Sequence, residues 1–478
     1  MNGDTLTDTF QTLRPYTRPT PRVALATRDN WYLYLLIFIL VGYACLGHSF
    51  ASLGVGPLYI GDLTLAVGLL VAARTNCISP LFGAMPNLLL AILMAWVVSR
   101  TLPYIEIYGL DAIRDSVIVM YGLFAFVVIA LLLQAPQRLA VIVRAYSRFA
   151  GFYAPAGVVI VVASAFVGKG LPTIPGSGIP VIDVRLGELS THLAGIAIFA
   201  LLGMRRVTMW WTLALLIGIF SISPNRGGMV ACLLSIAMAA VLGKQLTRLV
   251  PIILVCGAIF LVALASGFSV GSENGRKVGA IEILENVESV LGSSNAGNLD
   301  DTKKWRLQWW GAIEDYTVNG PYFWIGKGFG INLAEADGYM VGQELGGPPL
   351  RSPHNGHLTI LARAGVPGLL LWALVLTSWF AMMMRSMVKA RRRGDVQFAN
   401  LFLWIACYLL AVLIDASFDV ALEGPMLGIW FWCLYGLGGG SAMIYRAAFN
   451  TLPPGSTVPI LLWMDSHAEP QQGSGEAV

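Results

Sequence analysis

The chain has 478 residues, of which 56% are hydrophobic and only 12% charged, against roughly 25% charged in an average soluble domain. No soluble fold has enough interior to hide that much apolar side chain. A cytosolic enzyme, a nucleic-acid binder and a disordered scaffold are therefore excluded, and the chain belongs in a bilayer. The net charge of +4 is also too mild and too dispersed for a nucleic-acid partner.

Residues 1–30 are polar, carry Pro15, Pro19 and Pro21, and predict an N-terminal arm. A span needs about 20 mostly apolar residues. Twelve stretches meet or approach that, near 31–50, 57–73, 86–102, 114–134, 150–168, 188–204, 207–222, 228–243, 248–268, 357–384, 397–417 and 424–445. The first starts too late and runs too long for a cleaved signal peptide. Spans one to nine thus fill 31–268 and spans ten to twelve fill 357–446, leaving 447–478 as a tail. Twelve spans put both termini on one side. Eighteen Lys and Arg residues fall on that side and five in the short connections opposite, so the positive-inside rule makes the termini cytoplasmic.

The 88 residues 269–356 form one long outward loop with 7 Lys/Arg and 11 Asp/Glu. The run WRLQWWGAIEDYTV (305–318) has helical spacing, as does GAIEILENVESVL (279–291), with a turn-like GSSNAGN (292–298) between them. The fold expected is an all-α polytopic membrane protein of about 12 transmembrane helices, with a large, partly helical loop between helices 9 and 10. The six cysteines form no CxxC pair and read as small hydrophobes.

Ionisable residues at membrane depth are functional candidates by default. Those in this chain collect at the outer ends of the spans. Arg226 lies in SISPNRGG between spans seven and eight, and Arg185 and His192 lie at the start of span six. His354 and His357 lie in RSPHNGH before span ten. Asp415, Asp419 and Glu423 lie between spans eleven and twelve, and Arg276 and Arg306 in the loop. Arginine offers a planar fork of donors for phosphate oxygens, and histidine exchanges a proton near neutral pH. Together they suit group transfer from a lipid diphosphate, with arginine rather than a metal stabilising the leaving charge. No acidic pair has metal-ligand spacing, so no metal and no cofactor are expected.

Each residue also has a structural reading. Arg226 could snorkel or cap a helix, His354 could belong to a helix N-cap, and Asp415 could pair with an outer arginine. Trp305, Trp309 and Trp310 read as an interfacial anchor. The glycines of IGKGFG read as a tight turn, because the phosphate-loop spacing is absent.

The segment SPHNGHLTILARAGVPGLLLW resembles the signature of the O-antigen ligase and polymerase family of bacterial membrane glycosyltransferases. His354, Asn355, Leu358, Gly365 and Gly368 match it, whereas Arg363 stands where the family has an acidic residue. SPNRGG resembles the family's Ser-x-x-Arg-Gly, with Arg226 as its arginine. KWRLQWWGAIEDYTVNGPYFWIGKGFG resembles its Arg-x-x-x-Trp helix and Gly-x-Gly turn, with Arg306 as the loop arginine. VRLGELSTHLAGIAIFALL resembles the entry to span six, at Arg185.

The resemblance covers roughly 185–380. It implies an inner-membrane enzyme acting at the periplasmic face, with a glycan on undecaprenyl diphosphate as donor. The acceptor is lipid A–core sugar for a ligase or a second lipid-linked unit for a polymerase, and transfer is inverting and metal-free. Arg226 and Arg306 would hold the donor diphosphate, with Arg276 and Arg185 as further contacts. His354 would position or deprotonate the acceptor hydroxyl beside Asn355. In place of the missing acid at Arg363, Asp415 or Glu423 is expected to orient His354. The rival reading is a secondary transporter or flippase. Against it, the mid-span positions are nearly free of charge apart from Asp62, where transporters place their coupling groups.

Overall fold

The computed structural model of the protein describes residues 30–56, 58–165, 172–174, 179–222, 225–266, 269–271, 277–279, 297–340 and 350–451. The longer helices in chain order are α1 (Asn30–Leu46), α2 (Ile60–Ala73), α3 (Met85–Thr101), α4 (Leu110–Met120), α5 (Gly122–Gln134), α6 (Arg138–Ala165) and α7 (Leu186–Leu201). They continue with α8 (Met209–Ser221), α9 (Arg226–Gly243), α10 (Leu246–Ser266), α11 (Gly297–Thr317), α12 (Gly356–Arg393), α13 (Val396–Asp415) and α14 (Pro425–Thr451). The described strands are confined to two small antiparallel ladders, Gly54–Val55 with Leu58–Tyr59 and Ser269–Gly271 with Lys277–Gly279.

This is an all-α polytopic membrane protein. Among the described residues, seven helices are long and apolar enough to cross a bilayer. The pair α4 and α5, bent by 44°, makes an eighth if it counts as one span. Four shorter apolar helices, α1, α2, α7 and α8, fall where stretches one, two, six and seven lie in the sequence. All but the first residue of the expected helix at 279–291, residues 452–478 of the tail and nearly all of the arm lie outside the described residues, while 447–451 continue α14.

Local chemistry sets the helix starts. Thr208, Asn225, Asn355 and Asp395 accept backbone N–H groups at the first turns of α8, α9, α12 and α13, satisfying donors that have no intrahelical partner. α12 ends on Gly394 at φ 82° after Arg391, Arg392 and Arg393, a left-handed C-cap behind basic side chains that suit the helix C-terminus.

The core lies between α13 and α14, which pack on each other and on α5, α7, α9 and α12. Trp372, Trp379, Trp404 and Trp432 are fully buried there. Each indole N–H is satisfied: Trp379 by Tyr435 O, Trp404 by Gly195 O, Trp432 by Ile118 O and Trp372 by His357 Nδ1, at 3.0–3.1 Å. An apolar medium demands this, because water is absent to take up a free donor. α10, by contrast, buries nothing of its apolar stretch, and Leu254 and Val262 are among its exposed side chains, as befits a lipid-facing helix.

α12 is not one helix. It breaks at Gly365, whose φ of 71° and ψ of −176° only glycine adopts readily. Pro367 follows and cannot continue the hydrogen-bond ladder. The carbonyls and N–H freed by the break are taken up by the chain that follows α11. Val366 N donates to Phe323 O (2.8 Å), Lys327 N to Ala362 O (2.7 Å) and Gly328 N to Arg363 O (3.0 Å). From α3, Trp96 Nε1 donates to Ala364 O (3.0 Å) and Arg100 Nε to Ile325 O (3.1 Å). The IGKGFG segment is the tight turn that allows this, with Gly326, Gly328 and Gly330 all at positive φ.

The described part of the loop has its own small core of Trp309, Ile313, Leu333, Ala334, Leu361 and Ala362. Trp309 stacks on Tyr339 at 5.5 Å and donates to Asp337 Oδ2 at 2.7 Å. Lys327 pairs with Asp337 and lies 4.0 Å from the Tyr316 ring. Trp309 is therefore an interior residue of the loop and not a membrane anchor.

A side chain at Gly365 would meet Phe323 O at 2.6 Å. Gly365→Ala is expected to destabilise by about 1–3 kcal/mol through backbone strain, read as a lower thermal midpoint of the detergent-purified protein. An unchanged midpoint would show that the loop does not need this geometry.

Candidate functional site

The turn between α13 and α14, residues 416–424, is where the charged residues meet. α12 starts against it: Gly356 N donates to Ala416 O at 2.8 Å. α9 also starts against it, where a Cβ on Gly227 would lie 2.7 Å from Phe418 Cβ. α7 starts beside the last residue of α13, where a Cβ on Gly187 would lie 2.7 Å from Asp415 Oδ1. Three helix N-termini thus converge on one turn, and α11 closes over it.

His354 precedes the Asn355 cap and has φ 53°, an unusual conformation for a non-glycine residue. Its Nδ1 lies 3.4 Å from Asp419 Oδ1. A proton on Nδ1, shared with that carboxylate, leaves Nε2 with its lone pair. Asp419 also accepts from Val420 N at 2.8 Å. Burial by itself would raise the Asp419 carboxyl. The hydrogen bonds from His354 and Val420 and the charges of Arg185 and His354 outweigh it and hold the carboxyl below its ordinary value.

Arg306, from α11, donates Nη1 to Phe418 O at 2.8 Å, one residue from Asp419. Its buried Nε has no acceptor among the described residues. Burial lowers the pKa of this guanidinium, while Asp419 pulls it back up. Arg226 is the first residue of α9, half-buried, at the end that abuts Phe418. Arg185 is exposed at the N-cap of α7, and its charge reaches Asp419. The turn thus gathers His354, Asp419, Arg306, Arg226 and Arg185 at one end of the bundle.

Other expectations divide differently. Asn355 Oδ1 accepts from His357 N (3.0 Å) and Leu358 N (3.1 Å), so its amide oxygen is committed to capping α12. Asp415 is 1% exposed and its Oδ1 has no partner among the described residues. It does not orient His354; Asp419 does, one turn further on. Glu423 is held by Thr359 Oγ1 at 2.8 Å and by Ser352, and burial raises its carboxyl. It therefore buttresses the start of α12 and not the imidazole. Arg276 lies outside the described residues.

His192 and His357 take the structural reading. His192 is enclosed by Phe149, Tyr153, Trp430 and Tyr408 and hydrogen-bonds Tyr408 Oη at 2.7 Å. His357 lies between Trp372 Nε1 and Leu413 O. Asp419 is the functional candidate that sequence reasoning named without selecting. Its signal is a second acid, spaced one helical turn after Asp415, in a short connection. Among the described residues no three His, Cys, Asp or Glu side chains come together to hold a metal ion.

The depressed Asp419 carboxyl carries a pH signature. Such a group contributes its full stability above its unfolded value, about 3.9, and loses it as pH falls through the lower folded value. The thermal midpoint of the wild type should exceed that of Asp419→Asn at pH 7, and the gap should close as pH drops below about 4. A gap that is independent of pH would refute the His354–Asp419 interaction.

No curated protein sequence is significantly similar to the chain. Residues 211–373, from α8 through the loop into α12, match the Wzy_C family model, described as O-antigen ligase.

Proposed function

We propose that the protein is a glycosyltransferase of twelve spans in a bacterial inner membrane. It moves a glycan from an undecaprenyl-diphosphate donor to a hydroxyl acceptor at the periplasmic face. The acceptor is the sugar of lipid A–core, as in a ligase, or a second lipid-linked unit, as in a polymerase. Both termini are cytoplasmic. The observation that carries this reading is the His354–Asp419 pair at 3.4 Å beside an arginine whose guanidinium is fixed on Phe418 O. A histidine paired with a carboxylate and a half-buried arginine are thus held on neighbouring residues, 419 and 418, of one turn.

The acceptor oxygen bonds to the anomeric carbon as the bond from that carbon to the diphosphate oxygen breaks. Attack from the opposite face inverts the configuration. The hydroxyl proton passes to Nε2 of His354, and Asp419 holds Nδ1–H and stabilises the imidazolium. The electron pair leaves with the diphosphate, whose charge Arg306 and Arg226 receive. Arg185, and Arg276 in the undescribed part of the loop, are further diphosphate contacts. Positioned bases and fixed cations serve this reaction without a metal.

His354→Ala should lower transfer in vitro from a lipid-diphosphate donor by at least about 10²-fold with normal expression. Near-normal turnover would remove His354 from the mechanism. Arg306→Ala should cost about 10²–10³-fold. Turnover should survive EDTA; loss that Mg²⁺ restores would defeat the metal-independent mechanism.

A further inference from the structure

Arg363 stands where the resembling family has an acid, and the structure shows what it does instead. Its side chain is 2% exposed, and Nη1 lies 2.9 Å from Asp115 Oδ2 on α4. It also donates to Ile331 O at 3.1 Å. The same Asp115 oxygen accepts Arg351 Nη2 at 3.2 Å and Gly330 N at 3.0 Å. Arg351 is further fixed by Asp111 Oδ2 at 3.1 Å and by Gly330 O at 2.9 Å. One carboxylate oxygen therefore gathers three donors: an arginine before His354, an arginine after it, and the end of the glycine turn that closes the broken α12.

We propose that Asp115 is a positioning residue for His354. The segment from Arg351 to Arg363 is drawn at both ends onto α4 by that single oxygen. Between these points Trp310 Nε1 donates to Pro353 O at 2.9 Å, immediately before His354. A residue at φ 53° does not hold that conformation on its own; it persists where its flanks are over-determined. Removing the Asp115 charge leaves the buried Arg363 guanidinium without its carboxylate and Arg351 with Asp111 alone. The segment then shifts to bring those charges to other partners, and the imidazole moves off Asp419. Asp115 itself touches neither His354 nor Asp419 by any hydrogen bond or ion pair among the described residues, so it acts through the segment.

The kinetic part of this inference rests on the glycan-transfer reading. Asp115→Asn should lower kcat by about 10²-fold, the scale of a misplaced catalytic group, with donor KM changed less than about threefold, a small effect on that scale. Asp115→Glu should recover most of the loss. In a His354→Ala background, Asp115→Asn should lower the residual rate no further, because both changes remove the same contribution. Independently of any reaction, hydrogen exchange at the amides of 350–356 should speed up in Asp115→Asn while α13 stays protected. Unchanged exchange over 350–356 overturns the proposal, as does an Asp115→Asn loss that multiplies with that of His354→Ala. If the wild type transfers no glycan, the functional reading fails and the exchange measurement still decides the anchoring.

Discussion

The nine residues between α13 and α14 carry the arrangement at the mouth of the bundle. Gly356 N, Arg306 and His354 all bond to this turn, and Gly227 packs on it. Its carbonyls and carboxylates are therefore the common reference for three helix starts and the loop helix. The turn is short because α13 and α14 are neighbours packed along their length. It joins the two most buried of the described spans. Donors brought to such a turn are placed by the core and not by their own side-chain preferences.

The break in α12 imposes the second constraint. A helix interrupted within apolar surroundings must find partners for its freed carbonyls and N–H groups, since lipid offers none. The segment Phe323–Gly328 supplies most of them, and Trp96 supplies one. The loop is thus an integral part of the membrane domain on its described side. Its inner core of Trp309 and Ile313 forms against Leu361 and Ala362, within the first, short half of α12. Arg306 projects from the helix so fixed. The loop's position and that of its arginine follow from satisfying backbone groups at Gly365.

The two histidine environments illustrate why similar residues take different roles. His192 is enclosed by aromatic rings and bonds Tyr408 through Nδ1, and both nitrogens of His357 are engaged, by Trp372 Nε1 and Leu413 O. His354 is partly exposed, with a carboxylate on one nitrogen only. Enclosure within the apolar core makes a histidine a structural hydrogen-bonding group. Partial exposure beside an acid makes it able to exchange a proton.

Hydrophobic composition alone established the membrane class, because apolar content is a property of residue types and needs no coordinates. Span periodicity placed most helices for the same reason, as did the spacing of His354, Arg226 and Arg306 in their motifs. The helical run at 305–318 was equally legible, since it repeats at a helical period. Pairings across the chain were not. That His354 meets Asp419 and not Asp415 depends on how far α13 runs before turning. That Arg363 meets Asp115 depends on α4 lying against the loop. Trp309 looked like an interfacial anchor because a tryptophan-rich helix reads the same whether its partner is lipid or Tyr339. Such contacts join residues from 35 to 248 positions apart in the cases of Arg363 with Gly328 and with Asp115. No local pattern encodes them, and they arise only when packing of the apolar helices brings distant polar groups to one end of the bundle.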